Sequence, residues 1–165
     1  MNELLNLIQQ QLRLRLIDES IPRIVKCLEL LNEDQIWWSP NPQINSIGNL
    51  MLHLNGNVRQ WLIDGLGDIR YNRLRQEEFS AYKTKNKDEL LQMLFQLSQD
   101  IETATNQLSI DKLKSVIKVQ CFEVSGVGII VHVIEHFSYH TGQISLLTKL
   151  MTEKDLGYYA HLMLD

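Results

Sequence analysis

The sequence predicts an all-α fold built as a bundle of four long helices. Two observations carry this. Four long segments repeat apolar residues at three- and four-residue steps, and only one short stretch, residues 114–124, alternates as a strand would. The 165 residues make about one domain, spanning 1–165, with enough chain to bury a substantial core.

The first helical segment covers residues 3–31 and carries Leu4, Leu7, Ile8, Leu12, Ile17, Ile21, Ile24, Val25, Leu28 and Leu31. Pro22 lies inside it and should kink or divide the helix, because proline lacks an amide hydrogen and crowds the preceding turn. Residues 32–45, with SPNP and the pair Trp37 and Trp38, read as a short turn followed by an ordered connection. Ser46 is a plausible N-cap for the second helix, which should end near Gly65 to Gly67. Its stripe is Ile47, Leu50, Met51, Leu54, Val58, Trp61 and Leu62.

A polar loop at 68–86 holds Arg70, Arg73, Arg75, Glu77 and Glu78. The third helix should run over 87–108, facing Leu90, Leu91, Leu94, Leu97, Ile101 and Ala104 or Thr105 inward. Residues 114–124 read as a short strand or an extended crossover. The fourth helix follows over 125–151, with a tail that includes Tyr158 and His161.

Composition narrows the function. The chain is 44% hydrophobic and 22% charged, with a net charge of −4 and no basic tract. That balance gives no electrostatic reason to expect nucleic acid or an anionic membrane as a partner. No apolar run approaches the roughly 18–20 residues of a membrane span, and the N-terminus lacks signal-peptide features. Cys27 and Cys121 lie far apart and outside any CxxC pattern. They read as buried apolar fillers in a reducing compartment, so the expected location is the cytoplasm.

The informative stretch is VHVIEHFSYHTGQI, residues 131–144, which spaces His132, His136 and His140 four apart. Neighbours in that ladder lie about 6 Å apart along the helix axis, close enough to chelate one ion. All three cannot share it, since about 12 Å of rise separates His132 from His140. Two pairs are possible, 132/136 and 136/140, with His136 in both. Measured from His136, His140 falls at about +40° and His132 at about −40° on the helical wheel. Ile129, Leu147, Val133, Met151 and Leu150 centre the buried face slightly on the positive side, which favours 136/140. Gln143 is an inward amide one turn beyond His140, suited to orienting a ligand.

The pattern HxxxHxGQI on the last long helix, with a single histidine on the second, resembles the DinB/YfiT-like superfamily. The likeness runs over IPRIVKCLELL, QIWWSPNPQINSIGNLMLHLNGNVRQWL, RLRQEEF and HFSYHTGQI, and SIGNLMLHLNGNVRQW matches an uncharacterised bacterial branch of it best. The resemblance implies an up-and-down four-helix bundle and a metal triad of His53, His136 and His140. Read alone, His53 is a surface histidine, about 120° from the centre of its helix's apolar stripe. The triad and that position are reconciled if the site lies in a partly open cleft at the bundle edge. Many relatives carry Arg directly after the last ligand, where this chain has Thr141.

What the resemblance implies for function is a metal-dependent enzyme, first of all a transferase that uses a low-molecular-weight thiol and a small-molecule substrate. Metal-dependent hydrolysis and a non-enzymatic, stress-associated metal-binding bundle are the alternatives. The expected cofactor is one divalent transition metal, Zn²⁺ first, with Ni²⁺, Fe²⁺ and Mn²⁺ also suited to imidazole. His132, Asn57, Tyr139, Gln143 and Asn49 are candidate pocket groups. No residue stands out as general base, because Glu135 sits on the flank of its helix and His161 in the tail. The loop at 70–78 and the paired tryptophans are candidates for a homodimer interface, with core packing equally open to the tryptophans.

Overall fold

The structure is a computed structural model and describes residues 3–67, 69–160 and 163. Helices dominate it. The first segment is wound continuously from Glu3 to Leu30, as α1 (Glu3–Arg13), a π-helical stretch (Leu14–Ser20) and α2 (Ile21–Leu30). A short α3 (Glu33–Ile36) follows. The second segment comprises α4 (Ile47–Val58) and a second π-helical stretch (Arg59–Asp64). Then come α5 (Arg75–Ser80), α6 (Lys87–Asn106), α7 (Ile110–Lys114), strands β1 (Val116–Val119) and β2 (Phe122–Ser125), and α8 (Gly126–Thr152). His161 lies outside the described residues.

The first π stretch shifts the inner line of the first segment away from a 3.6-residue period. Pro22 sits in the first turn of α2, and the Ile21 amide reaches back five residues to the Leu16 carbonyl. The wide turn accommodates a residue that cannot donate, so the winding changes rather than breaks. It also adds a residue to the repeat, and Leu5, Leu12, Leu16, Ile21 and Ile24 form the buried line. Leu4 and Leu7, expected inside, are 63% and 49% exposed. All seven expected apolar positions of the second segment are buried, and on α6 Leu91 alone of its stripe is only partly so. Leu150 on α8, placed near the inner face by the wheel, is instead 63% exposed.

Caps fix the helix starts. Ser46 and Asn49 form a capping box at α4, as Asn86 and Glu89 do at α6, and Ser125 accepts from the Gly128 amide at α8. Between segments the chain holds more order than a bare bundle needs. Asn32 and Gln35 box the start of α3. Residues 116–125 form an antiparallel hairpin, with Val119 paired to Phe122 and Gln120 in the left-handed region at φ 57°. That settles the strand-or-crossover alternative in favour of strands, and the helix-rich fold is not helix alone.

The first segment packs on α6 and α8, and the second packs on the same two. One apolar cluster joins them, including Leu12, Ile24, Met51, Leu54, Leu97, Ile101, Phe137 and Ile144. Trp37 is buried and donates from its indole to the Lys85 carbonyl, while Trp38 is partly exposed. Gly48 exists to let Trp37 in: a Cβ there would stand 2.8 Å from the indole ring. Cys27 is fully buried as expected. Cys121 is exposed at the hairpin turn, which corrects its reading as a core filler. No helix among the described residues is long and apolar enough to cross a membrane.

Candidate metal centre

The middle of α4 faces the middle of α8, and three imidazoles meet between them. The candidate ligand nitrogens of His53, His136 and His140 lie within 4.8 Å of one another. Nε2 of His53 is 2.9 Å from Nε2 of His136, and the rings cross edge-on. Of the two pairs the ladder allows, 136/140 joins the cluster and His132 does not. His132 instead stacks parallel to His136, with centroids 5.3 Å apart, and lies against the Trp61 indole at 4.0 Å.

His53 is 5% exposed, so its reading as a surface histidine is overturned. The cause is the segment 71–81, which folds back over α4. Arg73 grips Glu78 with two hydrogen bonds, Nε to Oε1 at 2.7 Å and Nη2 to Oε2 at 2.8 Å. Glu78 Oε2 stands 2.9 Å from Nδ1 of His53, and Phe79 packs on the His53 ring. Asn49, expected among the pocket groups, ties this segment down: its amide nitrogen donates to the carbonyls of Glu78 and Ala81. Arg73 and Glu78 therefore face inward.

Charge and hydrogen bonding act on the protons of these rings. Burial pushes the Glu78 carboxyl up, yet the hydrogen bonds and positive charge of Arg73, with His53, hold it below its ordinary value. Nδ1 of His53 meets two groups, the Glu78 carboxylate, which only accepts, and Nη2 of Arg73 at 3.0 Å, which only donates; a proton on Nδ1 answers the carboxylate and leaves Nε2 its lone pair. His140 is built alike: its Nδ1 lies 2.6 Å from Oε1 of Gln143, which leaves Nε2 free. Burial, reinforced by the neighbouring imidazoles and Arg73, lowers the pKa of His136 to about 3. Burial also lowers His132 and His140. At neutral pH these three rings carry no charge, the form in which imidazole binds metals.

The set fits a divalent transition ion. Ligand nitrogens around a tetrahedral metal stand about 3.3 Å apart, close to the spacing of His53 and His136. A hydrogen bond from Nδ1 to an acceptor, as made by His53 and His140, is how ligand imidazoles are oriented. Of the other expected pocket groups, Tyr139 is 62% exposed with its ring 5.0 Å from His140. Asn57 is buried one turn beyond His53, its Nδ2 3.3 Å from Nε2 of His132.

A model of the family described as "Protein of unknown function (DUF1572)" matches residues 6–160. The chain belongs to that family. Solved structures share the fold. A DinB-like protein from Bacillus cereus ATCC 10987 aligns with a TM-score of 0.64 at 12% identity, covering 81% of this chain and 87% of that one. A conserved protein from Enterococcus faecalis aligns at 0.69 and 17%, covering 92% and 98%. A DinB-like protein from Bacillus subtilis aligns at 0.59 and 15%, covering 90% and 94%. The DUF1572 chain is thus DinB-like in fold, as the sequence resemblance implied. No curated protein matches it.

Arg73 and Glu78 are the residues sequence reasoning missed. One signal pointed to them: Gly56, a glycine inside a helix three residues after His53. A Cβ there would collide with Oε1 of Glu78 and stand 3.0 Å from Nε of Arg73. A mid-helix glycine is a mark of close approach.

Proposed function

We propose that this DUF1572 chain is a metal-dependent enzyme, a single domain on an up-and-down bundle of four long helices, whose His53, His136 and His140 hold one divalent ion. Zn²⁺ is the first choice, with Ni²⁺, Fe²⁺ and Mn²⁺ compatible with the donor set. The observation that carries the reading is the orientation of the triad: the Nδ1 atoms of His53 and His140 are engaged by Glu78 and Gln143, which leaves Nε2 of each for the ion. An ion held by three imidazoles keeps an open coordination position, where it favours the thiolate form of a thiol and acts as a Lewis acid.

The favoured reaction is transfer of a low-molecular-weight thiol to a small electrophile. The thiol sulfur bonds to the electrophilic carbon, the leaving group departs with its electron pair, and the thiol proton goes to solvent. What supports a thiol over hydrolysis is the state of the nearby acid. Among the described residues, Glu78 is the carboxylate hydrogen-bonded to the triad, and Arg73 and His53 occupy both its oxygens. It is not free to take a proton from water. A thiol, with a free pKa of about 8.5, needs no such base beside a metal. The rings of His53 and His140 stay oriented by Glu78 and Gln143 throughout, and Tyr139 walls one side.

The test is the cobalt-substituted protein titrated with small thiols, then offered alkyl halide and epoxide electrophiles. Sulfur-to-metal charge-transfer absorption followed by thioether formation is expected. Hydrolysis of ester substrates without any thiol response would replace this reading with the hydrolase.

A further inference from the structure

A cavity opens one helical turn from the triad, on the side away from His132. Its volume is about 390 Å³, within the range of about 300–1,000 Å³ usual for small-molecule sites. Leu50 and Leu147 are buried along it, and Ile44, Leu146 and Leu150 are exposed. Leu50 precedes His53 by three residues and Gln143 follows His140 by three, about 4.5 Å along the axis in each case. Gln143 ties the cavity to the metal centre: it lines the cavity while its Oε1 lies 2.6 Å from Nδ1 of His140. None of the lining residues is charged.

A metal on Nε2 of His140 leaves the proton on Nδ1, and that proton turns the amide oxygen of Gln143 toward the imidazole. The amide nitrogen is then a donor at an apolar cavity, and no described residue accepts from it. We infer that this cavity seats the small-molecule substrate as an uncharged, mainly apolar compound whose carbonyl or epoxide oxygen accepts a hydrogen bond from Nε2 of Gln143. This rests on the metal reading of His140 above and not on the choice of thiol over water. The aliphatic walls favour an apolar body. With no cation among them, they reject a carboxylate or phosphate, because a buried charge without a partner is costly.

The experiment titrates zinc-loaded protein with 2-acetylnaphthalene, carbon-13-labelled at its carbonyl, and with 2-naphthoate, its charged analogue of similar shape. The ketone is expected to bind, and the carboxylate at least roughly tenfold more weakly. Leu150→Glu changes an exposed position, so it should keep its zinc and weaken the ketone roughly tenfold. The carbonyl stretch of the bound ketone should lie below its frequency in hexane, as a hydrogen bond requires. It should rise toward that value in Gln143→Glu, which keeps an acceptor for His140 but has no amide N–H. Absence of ketone binding, equal binding of the carboxylate, or a stretch unmoved in Gln143→Glu overturns the inference and leaves the metal reading standing. Ketone binding unchanged in Leu150→Glu puts the probe elsewhere and overturns it too. So does a wild-type dimer that Leu150→Glu dissociates, since a second copy would then cover the cavity. Wild-type protein that takes up no zinc overturns the metal reading and the inference together.

Discussion

Glu78 Oε2 lies 2.9 Å from Nδ1 of His53, and this contact decides which nitrogen of His53 faces His136. Arg73, its guanidinium buried against the same carboxylate and its Nη2 3.0 Å from the same Nδ1, keeps Glu78 ionised and so able to accept from that nitrogen. A loop far along the chain thus prepares a ligand on α4.

Glu78→Gln is therefore expected to weaken metal binding about 10–100-fold, the usual effect of removing an outer partner of a ligand histidine. It also strands the Arg73 cation in a buried position, which costs several kcal/mol of stability. Chelator competition measures the first effect and denaturant unfolding of the metal-free protein the second. Unchanged metal affinity in a folded variant would show that Glu78 does not orient His53.

Two glycines should respond oppositely to alanine. Gly56→Ala drives a methyl group into Glu78 and Arg73, at about 1–3 kcal/mol, and should loosen the metal. A Cβ added at Gly142 on α8 would meet nothing within 4 Å, so Gly142→Ala is expected to stabilise by about 0.5–1 kcal/mol. Thermal melts of the pair check this; equal losses would count against the close approach at Gly56.

The metal-free protein should lose stability on mild acidification. An unfolded histidine titrates near 6.5, while His136 in the fold does so at about 3. Between those values the unfolded chain binds a proton that the folded one refuses, so stability rises with pH. It is full above about 6.5 and falls as pH drops toward 3, with His132 and His140 adding in the same sense. Urea unfolding at pH 7.5, 6.5 and 5.5 measures it, conditions chosen about these pKa values. A flat profile would mean that the rings are not held neutral.

Much of this molecule was legible in its sequence. The helix starts at Ser46 and Ser125 follow from side chains that cap their own backbone, and helical geometry leaves two histidine pairs and favours His136 with His140. What was hidden came from chain segments meeting at a distance. A helical wheel for α4 puts His53 on the surface because the wheel cannot see residues 71–81 folding back over it. The same blindness left Arg73 and Glu78 in a polar loop, as candidates for a dimer interface. The π turn before Pro22 moved the inner line of the first helix off the expected leucines, since a fixed 3.6-residue period has no place for the extra residue.

Metal analysis of untagged protein shows whether His53, His136 and His140 hold one metal ion. About one transition-metal equivalent per chain is expected, lost in His53→Ala, His136→Ala and His140→Ala and kept in His132→Ala. Wild-type metal content in His136→Ala or His140→Ala, or loss in His132→Ala alone, would contradict it.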